Sequence, residues 1–125
     1  MVAYIYLDLG APAREILNML VILERGSGEV LAEGIENETV QICEGNWYFD
    51  LGAVNMEYLR VTERTYTCPY KGTCYWIDLQ SPTIYAQNVA WVYANPKSGW
   101  EHIKDQIGMY ARDTVGTVPM SGVTT

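Results

Sequence analysis

The stretch RTYTCPYKGTCYWIDL, residues 64–79, decides the fold. Thr and aromatic residues favour β-strands over 64–67 and 73–79, and the Pro, Lys and Gly of residues 69–72 favour a turn between them. A strand turns successive side chains to opposite faces. One face of the second run carries Cys74, Trp76 and Asp78, and the other carries Thr73, Tyr75, Ile77 and Leu79.

Short apolar or alternating runs on both sides of this hairpin predict further strands. They lie at 19–24, 29–33, 39–43, 47–49 and 89–93. Gly26-Ser27-Gly28 and Glu44-Gly45-Asn46 supply turns between neighbouring runs. Several short strands at this spacing predict a mainly β protein, either a sandwich or a folded sheet.

One stretch near the end has the pattern of a helix. Asn95 suits an N-cap and Pro96 the first helical position. An apolar stripe follows at three- and four-residue spacing, formed by Trp100, Ile103, Ile107, Tyr110 and Ala111. We therefore predict one C-terminal α-helix, and a second, weaker helical pattern covers 12–20.

The length of 125 residues fits one domain. We assign residues 19–115 to a single β-rich domain and 1–18 to an N-terminal extension of undetermined structure. Gly, Ser, Thr and Val dominate 116–125, which predicts a flexible C-terminal tail.

The net charge of -7 and the scattered basic residues disfavour binding to nucleic acid or to anionic membranes. No apolar segment is long enough to span a membrane, and the first residues lack the pattern of a signal peptide. Three cysteines cannot all pair within one chain, which favours a reducing, cytoplasmic location.

Four motifs in order carry a resemblance to a known family. They are EGNWYF (44–49), NMEYLR (55–60), CPYKGT (68–73) and AWVYANPK (90–97). Together, over roughly residues 28–112, they resemble the Domain of Unknown Function 427 family. The resemblance implies a β-tent-like fold, in which an antiparallel sheet is folded on itself, and it implies no particular reaction.

The family also carries a nucleotidyltransferase-like label, which the residues do not support. The chain has no Gly-Ser pair followed by a strand with paired carboxylates that would hold magnesium and a nucleoside triphosphate. Zinc-binding β-tent proteins use paired Cys-x-x-Cys motifs, whereas the cysteine spacings here do not suit zinc. We predict neither a metal nor a cofactor.

Cys68 and Glu44 are the candidate catalytic residues. Lys71 is close enough in sequence to stabilise a Cys68 thiolate if the turn folds back, and the alternative is a buried structural cysteine. Glu44 could act as a general acid or base if it is buried near an aromatic ring. The alternative for Glu44 is a purely structural role in its turn.

The predicted ligand-binding residues surround the same turn. Lys71, with the flexible backbone of Gly72 and the Thr73 hydroxyl, could hold a carboxylate or phosphate. Aromatic rings with polar tips could wall a pocket, or could simply pack in the core. The candidates for this role are Tyr48, Tyr58, Tyr70, Trp91 and Tyr93.

The sequence therefore predicts a small-ligand pocket, for an anionic ligand, around the CPYKGT turn, and leaves open whether the protein is an enzyme. The alternative is a protein interaction or regulatory module, including a homodimer, without catalytic activity. A concave cavity shared by Lys71 and Trp91 favours the pocket, whereas rings lying flat on an exposed patch favour the interaction module.

Overall fold

The structure, a computed structural model, describes residues 18–122. Two one-turn 3-10 helices, Leu51–Ala53 and Glu101–Ile103, interrupt an otherwise β-stranded chain. The strands are β1 (Met19–Glu24), β2 (Val30–Ile35), β3 (Val40–Cys43), β4 (Asn46–Phe49), β5 (Leu59–Cys68), β6 (Gly72–Gln80), β7 (Tyr85–Val92), β8 (Ile107–Met109) and β9 (Thr117–Ser121).

The strands form two antiparallel sheets, which confirms the mainly β prediction. The smaller sheet has the order β2-β1-β9, and the larger has the order β3-β4-β8-β7-β6-β5. The predicted hairpins are present, since β1 pairs with β2, β3 with β4, and β5 with β6.

Each face of the six-stranded sheet carries its own cluster of buried side chains. Alternate residues of the central strands point inward, towards β1 and β2 of the smaller sheet. This inner face carries Phe49, Ile77, Leu79, Ala90, Ile107 and Met109, which pack with Leu20, Ile22, Leu31 and Ala32. The residues between them form the opposite, pocket face, where Tyr48, Cys68, Cys74, Trp91, Tyr93 and Ile103 make a second buried cluster.

A buried carboxylate joins the smaller sheet to the loop after β6. Glu24 is 1% exposed and accepts hydrogen bonds from the hydroxyls of Ser27, Ser81 and Thr83 and from the backbone N–H of Ser27. Burial by itself raises the pKa of Glu24, but these hydrogen bonds outweigh it and lower the pKa from 4.5 to about 2.

The predicted C-terminal α-helix is wrong, because residues 18–122 contain no α-helix. At the start of the predicted helix, the backbone N–H of Lys97 donates to the carbonyl of Lys71 at 2.8 Å. Gly99 and Asp105 have φ angles of 93° and 61°, which a right-handed helix does not allow. The apolar residues of this stretch pack on both faces of the sheet instead of forming one helical stripe. Ile103 packs on the pocket face and Ile107 on the inner face.

The ends of the predicted domain also differ. Residues 117–121, within the predicted flexible tail, form β9 and pair with β1 along its full length. The predicted extension 1–18 lies outside the described residues except for Asn18. The weaker helical pattern over 12–20 does so too up to residue 17, and Met19 and Leu20 belong to β1.

Within the described range, no helix is long and apolar enough to cross a membrane.

Candidate functional site

A concave pocket of about 260 Å³ opens on the pocket face of the larger sheet. It is lined by Glu44, Asn46, Tyr48, Tyr66, Lys71, Cys74, Trp76, Trp91, Tyr93 and Tyr110. Six of these side chains are aromatic, and Lys71 and Glu44 are the charged ones. β4, β5, β6 and β7 contribute most of the lining, because alternation turns their odd or even residues to this face.

Trp91 is the centre of the aromatic lining. Its ring meets Tyr48 at a centroid distance of 6.0 Å and an interplanar angle of 81°, and Trp76 at 6.1 Å and 79°. Tyr110 lies 4.8 Å away at 63°. Tyr66 extends the group to the rim by packing 6.2 Å from Trp76. Edge-to-face contacts of this kind are the favourable arrangement for aromatic pairs.

Gly108 provides the space that the Trp91 indole occupies. Gly108 pairs in register with both Tyr48 and Trp91. A Cβ atom at position 108 would lie 2.3 Å from Trp91 Nε1. The indole N–H donates to the Tyr48 hydroxyl at 3.0 Å. Because position 108 has no side chain, the Trp91 indole can lie close to strand β8, and this sets the depth of the pocket.

Lys71 lies in the turn between β5 and β6, and its ammonium group is brought back into the pocket. The side chain is 10% exposed and forms an ion pair with Glu44, whose side chain is 55% exposed. Its Nζ atom also lies 5.0 Å from the centroid of the Trp100 ring. Burial lowers the pKa of Lys71, but Glu44 and Cys68 outweigh this effect and raise it, so Lys71 remains charged.

Glu44 occupies a backbone conformation that favours glycine or asparagine. Its φ angle is 54° and that of Gly45 is 81°, as in a two-residue turn with both central residues left-handed. A non-glycine residue pays about 1–2 kcal/mol for this conformation. The turn places the Glu44 carboxylate beside Lys71, with which it forms the ion pair.

Cys68 lies beside Lys71 at the end of β5 and is not among the residues that line the pocket. Its Sγ atom accepts the backbone N–H of Lys71 at 3.4 Å and lies 3.8 Å from Lys71 Nζ. Burial raises the pKa of Cys68, but backbone N–H groups of Lys71 and Tyr70 and the Lys71 ammonium together lower it. The thiolate is thus stabilised at this position.

Two tyrosines and two cysteines of this face shift towards their neutral forms. Burial raises the pKa of Tyr48, Tyr93 and Cys74. Burial also raises the pKa of the half-buried Cys43, and nearby Glu44 adds to the effect. Cys68 therefore differs in direction from both other cysteines.

Two of the family motifs contact each other beside the pocket. Lys97 donates its backbone N–H to the carbonyl of Lys71 at 2.8 Å and its Nζ to the carbonyl of Pro69 at 2.9 Å. Gly72 has a φ angle of 105° and faces Lys97 at close range. The AWVYANPK segment thereby holds the CPYKGT turn in the position that directs Lys71 inward.

The structure brings together five of the predicted site residues as pocket lining, namely Glu44, Tyr48, Lys71, Trp91 and Tyr93. Cys68 contacts Lys71 but does not line the pocket. The other four lie away from the lining: Tyr70 is 72% exposed, Thr73 is exposed and bonds to Thr67, Gly72 shapes the turn, and Tyr58 packs against the inner cluster.

Five lining residues were absent from the predicted site: Asn46, Tyr66, Cys74, Trp76 and Tyr110. The sequence contains a signal for two of them, since Cys74 and Trp76 share a predicted strand face and Trp76 pairs directly with Trp91. Tyr66 and Tyr110 could be assigned to the pocket only from the register of β5 with β6 and from the position of β8.

Among residues 18–122, no group of three or more His, Cys, Asp or Glu side chains is placed to hold a metal ion. His102 is exposed and stacks on Trp100 at 5.7 Å.

Comparison with known families agrees with the motifs. The model of the family described as domain of unknown function DUF427 matches residues 25–119. The chain belongs to this family. All ten pocket-lining residues of this DUF427 domain lie within the matched range, as do Cys68 and the bracing Lys97. No curated protein matches the sequence.

Proposed function

We propose that this DUF427 protein binds a small ligand carrying an anionic group, in the pocket beside the CPYKGT turn. The observation that carries the proposal is the charged, nearly buried Lys71 in a concave aromatic pocket. Binding sites of this kind combine apolar walls with a few polar groups that fix orientation.

Lys71 and Glu44 differ in exposure, and this difference supports the replacement of Glu44 by an anionic ligand as the partner of Lys71. The Lys71 side chain is 10% exposed and is held by its braced turn, whereas the Glu44 side chain is 55% exposed. Glu44 can move into water at little cost, but Lys71 cannot follow it. A ligand carboxylate or phosphate would replace Glu44 and keep the buried ammonium paired.

The pocket leaves room for chemistry as well as binding. The Cys68 thiolate would be the nucleophile, and Glu44 the proton donor or acceptor at the mouth. Cys68 is buried beside Lys71 and does not line the pocket, so side chains would have to move before a ligand could react with it. Simple binding demands no such movement, and for this reason we place binding first.

The alternative function is an interaction module, including a homodimer. The exposed Tyr66, Tyr70 and Tyr75 on the β5–β6 hairpin favour it, at 52%, 72% and 40% exposure. The rings of Trp91 and Tyr48 are nevertheless buried inside a concavity rather than flat on the surface. This arrangement favours the small ligand over a protein partner.

We extend the proposal to fold family and location. The six-stranded sheet with a smaller sheet against one face supports a β-tent-like arrangement. Three free cysteines support a reducing compartment such as the cytoplasm.

A thermal-shift screen with acetate, benzoate, inorganic phosphate and sulfate tests the binding proposal. A ligand at about 100 times its Kd adds about 2.7 kcal/mol to the free energy of unfolding, which raises Tm by several degrees. We expect Lys71→Met to abolish this shift and Lys71→Arg to keep part of it. The control Lys104→Met removes an exposed lysine outside the pocket and leaves the shift unchanged.

Size-exclusion chromatography with light scattering examines the alternative. A homodimer that persists in Lys71→Met but is lost on Tyr70→Ser, combined with no shift from any anion, would replace the ligand proposal by the interaction module.

A further inference from the structure

We infer that the ligand is a zwitterion, with a carboxylate on Lys71 and a methylated ammonium group against the aromatic lining. This inference rests on the proposed anion site and adds a second charge to the ligand. Two features of the pocket carry it, namely the balance of charges and the arrangement of the rings.

The charged lining consists of one cation and one anion, Lys71 and Glu44. A purely anionic ligand that pairs with Lys71 leaves Glu44 without its partner at the mouth. A zwitterion replaces both members of the pair, because its carboxylate takes Lys71 and its ammonium group faces the released Glu44. Every charge then keeps an opposite charge nearby, which the nearly buried Lys71 requires and which the more exposed Glu44 gains as a weaker attraction.

Six aromatic side chains line this small pocket. Three of them stand at 63–81° to the Trp91 plane, so the ring planes lie at steep angles to one another rather than in one flat stack; we call this group of lining rings the aromatic box. Ring faces carry negative potential, and boxes of Trp and Tyr bind quaternary ammonium groups by cation–π attraction. A methylated ammonium group suits such walls better than a strongly hydrated primary amine.

The volume limits the size of the ligand. The pocket of about 260 Å³ lies just below the range of about 300–1,000 Å³ that is typical of sites for drug-sized ligands. A trimethylammonium group joined to a carboxylate by a short methylene chain is compact enough. The net charge of -7 over the whole protein favours the approach of a ligand that is not a net anion.

Isothermal titration calorimetry with two matched series tests the inference. One series is trimethylammonium carboxylates with one to three methylene groups, and the other is the tert-butyl carboxylates of the same length. The two differ only in the charge of the central atom. We expect the best trimethylammonium compound to bind about tenfold more tightly than its neutral analogue, within the range of cation–π energies.

A pair of tyrosine variants on one hairpin separates the box from the rest of the surface. Tyr66 lies at the pocket rim and Tyr75 on the opposite face, and both are partly exposed, at 52% and 40%. We expect Tyr66→Leu to reduce the tenfold preference to about threefold or less, since one ring face is lost. Tyr66→Phe and Tyr75→Leu keep the preference.

The outcomes separate this inference from the proposal beneath it. If the tert-butyl carboxylates bind as tightly as their charged analogues, and binding needs Lys71, the zwitterion is wrong and the anion pocket stands. If trimethylammonium compounds bind equally well to Lys71→Met, the site binds cations without the carboxylate contact, and both are wrong. No binding by either series, with no shift from simple anions, overturns both as well.

Discussion

The indole N–H of Trp91 donates to the hydroxyl of Tyr48 at 3.0 Å, and Gly108 is the residue paired in register with both. Three neighbouring strands therefore meet at one hydrogen bond. The bond fixes the orientation of the Trp91 ring, around which the other aromatic rings of the pocket are arranged. Changes at these positions should affect the pocket before they affect the inner core.

Tyr48→Phe tests this hydrogen bond. The substitution keeps the ring but leaves the buried indole N–H of Trp91 without its acceptor. We expect the free energy of unfolding to fall by about 1–3 kcal/mol, as measured by urea denaturation. Tyr70→Phe is the control, because Tyr70 is 72% exposed and should show no change. Equal stability of Tyr48→Phe and the wild type would mean that the bond contributes nothing to folding.

Gly108→Ala tests the space under the indole. The added methyl group would lie 2.3 Å from Trp91 Nε1, so the ring must move. We expect a loss of about 1–3 kcal/mol in urea denaturation and a changed near-ultraviolet circular dichroism spectrum. Gly52→Ala is the matched control, because a Cβ atom there meets nothing within 4 Å. An unchanged spectrum in Gly108→Ala would contradict the proposed support of Trp91.

The buried Glu24 predicts how stability changes in acid. Its folded-state pKa of about 2 lies below the ordinary 4.5, so the unfolded chain takes up the proton first as pH falls. The stabilisation is fully present above pH 4.5 and disappears as pH falls towards 2. Its size is at most about 3 kcal/mol.

Urea denaturation between pH 2 and pH 6 measures this dependence. We expect Glu24→Gln to be less stable than the wild type at pH 6, with the difference shrinking as the pH falls towards 2. Glu38→Gln, at an exposed position, should follow the wild type. A constant difference between Glu24→Gln and the wild type over this range would show that Glu24 has an ordinary pKa.

Alkylation of the cysteines by iodoacetamide tests the environment of Cys68. Peptide-level mass spectrometry gives a separate pH midpoint for each thiol. We expect the Cys68 midpoint to lie below that of Cys43, because their pKa values shift in opposite directions. Lys71→Met should raise the Cys68 midpoint by removing a cation, and Glu44→Gln should lower it by removing an anion.

The opposite signs of these two variants provide the internal control. A general opening of the pocket would change the rate of Cys68 alkylation in both variants without moving the midpoints in opposite directions. A Cys68 midpoint near an ordinary value of about 8.5 in all three proteins would exclude an activated thiol.

The hairpins and turns could be predicted because their signals are local. The turn at Glu44-Gly45 and the turn over residues 69–72 follow from residue types within each segment. The alternation of Cys74, Trp76 and Asp78 likewise assigns a face without knowledge of neighbouring strands. For this reason most of β6 and its contribution to the pocket were accessible from sequence.

The region after β7 could not be predicted, for a physical reason. Ile103 and Ile107 are four residues apart, as on one face of a helix, yet they pack on opposite faces of the sheet. The strand Ile107–Met109 is too short to show an alternating pattern. β9 contains Pro119 and few large apolar residues, which suits an edge strand and resembles a loop.

The position of each aromatic residue in the pocket depends on pairing across strands. Tyr66 reaches the rim because it pairs in register with Cys74, and a shift of one residue would turn it to the other face. Tyr58, although part of a family motif, packs beside the inner cluster.

The division of the large sheet into an inner face and a pocket face has a consequence for how the protein can change over generations. If the pocket binds the proposed ligand, substitutions at its exposed rim alter the ligand while the inner cluster, packed against the smaller sheet, continues to maintain the fold. Related chains can therefore differ in specificity at rim positions with little change in stability, whereas changes at the Trp91–Tyr48 hydrogen bond or at Gly108 lower stability. We expect variation among related chains to concentrate at Tyr66 and Glu44. Gly108, which lies against the Trp91 indole, should tolerate the fewest substitutions.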